Sequence, residues 1–223
     1  FLPLTERERS ERCVRGPVRR HYDWSIFFSR PFLVFALVAF LGRFGMMAYY
    51  GFFTLYVENE LGFAHAGYIW ALGPLSEIPL IFFSSLIIAR IGVKHMLGLA
   101  ILATAIRLAG FALAPSVGWI VPLQFLHAFT FGAYHAASMH YIQRIVPPDM
   151  KQSMTAVFAA FFLGLPAILG SALGGNIIVV FGYRWMYGIY ALIAALALVL
   201  HYVFVQEPRS YGVPEEMSAG VGG

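Results

Sequence analysis

The chain has 223 residues, of which 60% are hydrophobic and 12% charged, with a formal net charge of +4 and a mean hydropathy of +0.73. Soluble domains run about 45–50% apolar and about 25% charged, so a soluble globular domain is excluded, and an aromatic content of 17% excludes a disordered chain. A single cysteine, Cys13, excludes a disulfide framework and a Cys-rich metal cluster, which leaves an integral membrane protein.

Residues 1–30 are polar and basic, with Arg7, Arg9, Arg12, Arg15, Arg19, Arg20 and Arg30 set against Glu6, Glu8, Glu11 and Asp23. They lack the short basic start and early apolar core of a signal peptide. They read as a solvated cytoplasmic segment rather than a nucleic-acid-binding arm. The first methionine is Met46, and the sequence is expected to be a processed chain or part of a longer one.

Six apolar stretches follow, at 31–57, 64–89, 95–114, 118–143, 152–180 and 184–205. Each is long enough for a helix to cross about 30 Å of hydrocarbon at about 1.5 Å per residue. Strand alternation is absent, so the expected fold is an all-α integral membrane bundle of six helices, with a cytoplasmic tail at 206–223. Short turns such as Ala114-Pro115-Ser116 and Phe181-Gly182-Tyr183 make successive helices antiparallel.

Basic residues set the orientation. With 1–30 inside, the inner segments hold those seven Arg, then Arg90, Lys94, Arg144, Lys151 and Arg209, which is 12 of the 15 Lys and Arg. Arg184 alone falls in an outer loop, while Arg43 and Arg107 lie inside spans. Both termini are therefore expected in the cytoplasm. A short repeat fits a three-plus-three division: Ile91-Gly92-Val93-Lys94 ends the second span and Phe181-Gly182-Tyr183-Arg184 ends the fifth. One lies inside and the other outside, as in an inverted repeat.

Ionisable groups inside a span are costly and tend to face a bundle interior or an aqueous path. Arg43, Glu77 and Arg107 each lie about 18–20 Å from the start of their own helix, near one plane. His127 and His135 occupy the fourth span. At about 100° per residue, Thr130, Phe131, Tyr134, Ser138 and Tyr141 fall within about 60° of His127, and His135 about 80° away. Trp70 and Gly73 share the side of Glu77, and Tyr50 shares that of Arg43. Pro74 and Pro79 bracket Glu77, and a local break of the helix is expected there. The glycines of the fifth span, Gly170 and Gly174 among them, read as a close-packing stripe.

At this point the residues resemble a family. The run Tyr49-Tyr50-Gly51-Phe52-Phe53-Thr54-Leu55-Tyr56-Val57, the step Trp70-Ala71-Leu72-Gly73 into Glu77-Ile78, Arg107 in the next helix, and the stretch from His127 to Tyr141 are similar to the major facilitator superfamily. The nearest branches are the phenylpropionate-permease-like and lactose-permease-like proton symporters. The resemblance covers about residues 31–205 and implies helices seven to twelve of a twelve-helix transporter, with 1–30 as the end of its central loop. The family's loop signature has the form G-x-x-x-D-R-x-G-R. Arg90, Gly92 and Lys94 fit it, whereas Ser85 and Ala89 replace the Gly and the Asp, which removes the acid of the usual charge latch.

The expected function is therefore secondary active transport, a proton-coupled symport of a small organic solute, either an aromatic carboxylate or a sugar- or nucleoside-like molecule. Glu77, Arg107, His127 and His135 are the expected proton-coupling set, and Arg43, Tyr50, Trp70, Thr130 and Tyr134 the expected substrate-binding set. The expected partners are the substrate, protons, the lipid bilayer and a second six-helix half, either the N-terminal half of the same transporter or a second copy. No cofactor or metal is expected. A non-transporting assembly factor or receptor on the same fold is the alternative. An intramembrane enzyme is remote, because the chain has no G-x-S-G loop, no second buried acid and no H-E-x-x-H.

Overall fold

The computed structural model describes Ser25 and residues 28–208. The expectations for the basic segment before residue 25 and for the tail beyond Pro208 lie outside the described residues. No strand occurs among the described residues, and the chain is a bundle of helices.

Helix α1 spans Arg30–Asn59 and starts on a proline, which favours the first turn. The run Ala66–Leu113 is 48 residues long, twice what one crossing needs. It is broken at Gly92, where φ is 82° and ψ is 163°, and its two limbs are α2 (66–91) and α3 (93–113). A fourth rod is built from α4, Val117–Gln124, a π-helical turn at Ala128–Ala133, and α5, Tyr134–Ile145. The fifth comprises α6, Lys151–Phe158, a second π-helical turn at Ala159–Gly164, and α7, Leu165–Phe181. Helix α8, Tyr183–Phe204, completes the bundle. The runs Arg30–Asn59, Ala66–Leu113, Pro148–Phe181 and Tyr183–Phe204 are long and apolar enough to cross a membrane.

The two short repeats share a backbone shape. Gly182 has φ 86° and ψ 173°, close to the values at Gly92. A side chain rarely tolerates positive φ, so glycine is needed at both corners.

Helix α3 is tied at both ends. At its start the carboxylate of Glu207 accepts the backbone N–H groups of Val93 at 2.7 Å and Lys94 at 2.9 Å. Arg144 lies 3.8 Å from the same carboxylate. Just past the far end Arg184 donates to the carbonyl of Ala114 at 3.3 Å and pairs with Glu60 at 3.5 Å. An acid at a helix N-terminus and a cation at its C-terminus both oppose the helix dipole. This gives Arg184, the exception to the charge pattern, a local structural role. Glu207 also supplies an acid at the corner where the loop signature lacks its own. His201, which had no assigned role, is buried and bonds the Lys94 carbonyl at 2.8 Å.

Glycines set how closely helices approach. A Cβ at Gly170 would stand 2.6 Å from Met47 Cβ, and one at Gly174 would stand 2.8 Å from the Phe52 ring. Helix α7 thus lies directly on α1, as a small-residue stripe permits. The expected break beside Glu77 does not occur. The helix runs on through Pro74 and Pro79, and its one non-helical residue is Gly92. The Ser76 hydroxyl donates to the Gly73 carbonyl at 2.6 Å within this stretch. Outside the core many large apolar side chains are exposed, among them Phe82, Ile168, Val179 and Leu192, which suits a surface facing lipid.

Candidate functional site

The three mid-span groups on α2, α3 and the fourth rod meet. Glu77, Arg107 and His127 are all buried, with Arg107 only 1% exposed. Nε2 of His127 lies 2.6 Å from Oε1 of Glu77. Its other ring nitrogen, Nδ1, lies 2.6 Å from a terminal nitrogen of Arg107. The same Arg107 nitrogen donates to the Thr130 hydroxyl at 3.2 Å, and the second terminal nitrogen donates to the Gln124 side-chain oxygen. The guanidinium carbon sits 4.0 Å from the centre of the Tyr49 ring, a cation–π distance.

Donor and acceptor rules then fix the protons. A guanidinium only donates, so Nδ1 must present a lone pair. A neutral imidazole carries its one hydrogen on the other nitrogen, so Nε2 donates to Oε1 of Glu77. A proton added at Nδ1 would face Arg107 donor to donor. A proton placed on Glu77 Oε1 would face the Nε2 hydrogen, whereas Oε2 can take one without disturbing that contact. Protonation of His127 breaks its contact with Arg107, so the charge of the histidine and the position of Arg107 are linked.

Local packing builds this geometry. A Cβ at Gly73 would lie 3.1 Å from the His127 ring and 3.2 Å from the Tyr49 hydroxyl, so the glycine leaves room for both. Gly132, in the π-helical turn, faces Leu80 and Glu77. Such turns hold an extra residue per turn and recur at functional sites.

A second cation stands apart. Arg43 is 8% exposed and lies 5.1 Å from the ring centres of both Tyr50 and Phe131. The Tyr49 and Tyr50 rings meet edge to face at 5.3 Å, so consecutive tyrosines carry the two arginines. The other expected residues divide. His127, Phe131 and His135 form a stacked column, with 6.1 Å between successive rings and interplanar angles of 3° and 9°. His135 therefore does not touch His127, because the Phe131 ring stands between them. Trp70 is 39% exposed and lies near the N-terminal end of α2. Tyr134, expected at the substrate, is instead a core residue whose hydroxyl donates to the Ala39 carbonyl. The π-helical turn just before it shifts its direction relative to a regular helix.

Two members of the site were not foreseen. Gln124 lies one turn before His127 and is the amide on that face, a polar residue in an apolar run that could have flagged it. Tyr49 carried no signal beyond its neighbour Tyr50.

Comparison with known proteins follows from this geometry. The model of the family described as "MFS_1 like family" matches residues 5–189. The chain belongs to that family. It is 28% identical over 153 residues to the "Probable 3-phenylpropionic acid transporter" of Escherichia coli, covering 68% of this chain and 39% of that protein. It is 24% identical over 171 residues to an uncharacterized transporter of Bacillus subtilis, YwbF, covering 76% and 42%. A maltose permease of Geobacillus stearothermophilus is 24% identical over 189 residues, covering 83% and 46%. The chain thus spans less than half the length of these relatives. An all-α membrane fold of the major facilitator type is shown by the family match together with the helices.

Proposed function

We propose that this chain is one half of a secondary active transporter, and that it couples protons to the movement of a small organic solute by alternating access. The observation that carries the reading is the buried Glu77–His127–Arg107 chain. Its hydrogen bonding fixes one tautomer of a neutral His127 and loses the Arg107 contact when that ring is protonated. An acid at mid-helix costs about 2.5–3.5 kcal/mol to place in a membrane, so its presence in the bundle supports a working role. Movement of Arg107 away from His127 would let Nδ1 take the proton, and its return would expel it. The partner is a second six-helix half, and both termini lie on the cytoplasmic side of a plasma or inner membrane. Relatives carrying the names of a phenylpropionic acid transporter and a maltose permease support a small organic solute, either acid or sugar in kind.

The test is Glu77→Gln in the full transporter reconstituted in vesicles. Uphill uptake driven by a proton gradient is expected to vanish while exchange of solute across the membrane persists. Unchanged uphill uptake would remove Glu77 from the coupling.

A further inference from the structure

The two buried arginines are treated very differently by their surroundings. Arg107 has His127, Thr130 and Gln124 as polar partners. Arg43 has aromatic rings, Tyr50 and Phe131, and its Nε is enclosed without a hydrogen-bond partner. No ion pair involves Arg43 among the described residues. The carboxylate nearest in kind, Glu77, is already held by His127.

A buried charge without a counter-charge is strongly unfavourable, whereas cation–π contacts to two rings offset only about 0.5–2 kcal/mol each. The guanidinium fork is the side chain best matched to a carboxylate, through two parallel hydrogen bonds. Around it stand flat rings: Tyr50, Phe131 and, stacked on Phe131, the exposed His135. A cation set among aromatic faces suits a ligand with a negative end and a flat apolar body.

We propose that Arg43 holds the carboxylate of the transported solute, with Tyr50 and Phe131 against its ring, so that the substrate class is an aryl carboxylate rather than a neutral sugar or nucleoside. This rests on the reading of the chain as half of a transporter. It is independent of which group carries the proton.

The experiment uses the purified full transporter in detergent at pH 7.5. Binding is measured by tryptophan fluorescence and by thermal shift, with benzoate and phenylacetate as probes and their uncharged amides, benzamide and phenylacetamide, as controls. The acids are expected to bind the unaltered protein at least tenfold more tightly than the amides. Arg43→Gln is expected to lose that preference, and Arg43→Lys to keep part of it, since an ammonium retains charge but not the fork. Amides that bind as well as the acids, acids that bind Arg43→Gln as well as the unaltered protein, or no binding of either acid would each overturn the proposal. The acid–amide comparison in the unaltered protein stands even if Arg43→Gln fails to fold. Acid binding that survives in Glu77→Gln keeps the two readings separate: loss of coupling there with retained binding supports both, and unchanged coupling there removes only the proton site.

Discussion

Arg107 sets a terminal nitrogen 2.6 Å from Nδ1 of His127, and this one contact dictates the tautomer of the histidine and turns its Nε2–H toward Glu77. Removing the guanidinium should therefore do more than delete a charge. Arg107→Gln leaves His127, Thr130 and Gln124 without their donor in a buried site. Loss of one partner in such a network costs about 3–5 kcal/mol. Folded yield in detergent should fall sharply, and uptake by the remaining protein should be abolished. Wild-type uptake by Arg107→Gln would dissociate this contact from transport.

Gly73 offers a gentler probe of the same geometry. A Cβ there meets the His127 ring at 3.1 Å, whereas at Gly67 on the same helix nothing lies within 4 Å. Gly73→Ala should reduce proton-driven uptake about tenfold by displacing His127, by analogy with other misplacements near reacting groups. Gly67→Ala should leave uptake at the unaltered level. Equal effects at both positions would argue against steric control of the histidine.

The contact between α7 and α1 predicts a stability difference. Gly170→Ala drives a methyl group against Met47 Cβ at 2.6 Å, and Gly175→Ala meets only the Phe52 ring at 3.7 Å. Overpacking of this kind costs about 1–3 kcal/mol. Thermal melting of the full transporter should fall for Gly170→Ala and hold for Gly175→Ala.

At the Gly92 corner, Glu207→Ala removes the cap on Val93 and Lys94, a loss of about 1 kcal/mol. Gly92→Ala strains a φ of 82° and presses a Cβ within 3.1 Å of the same carboxylate. Because the two sites share one contact, the double variant should be less destabilised than the sum of the singles. Additive melting shifts would show that the glycine and the acid act apart.

Orientation is open to a labelling test. A cysteine replacing Ala64 should react with an impermeant maleimide added outside intact cells, and one replacing Lys151 should react only after permeabilisation. The reverse pattern would invert the proposed topology.

Much of this site was legible in the sequence because depth in a membrane is simple arithmetic. A rise of about 1.5 Å per residue put Glu77 and Arg107 near one level, and charges stranded in hydrocarbon seek each other. What the sequence hid was rotation. Nothing in Ala128–Ala133 marks a π-helical turn, and directly after that turn Tyr134 bonds the Ala39 carbonyl in the core. The proline pair misled in the other direction. Pro74 and Pro79 each remove one backbone donor, yet the helix continues through both. The glycine corners were visible as a four-residue likeness. Their common backbone angles then gave that likeness a physical basis.

Phe131 lies flat against His127 and also faces Arg43. One benzene ring therefore neighbours both the imidazole and the Arg43 guanidinium. Under the proposed coupling, a solute that shifts this ring would disturb the imidazole, and a proton that shifts the imidazole would disturb the solute's bed. By linkage the two influences would be equal in free energy. Such a symport would need no long-range wire through the bundle: the two proposed cargoes would feel each other across the thickness of a single side chain.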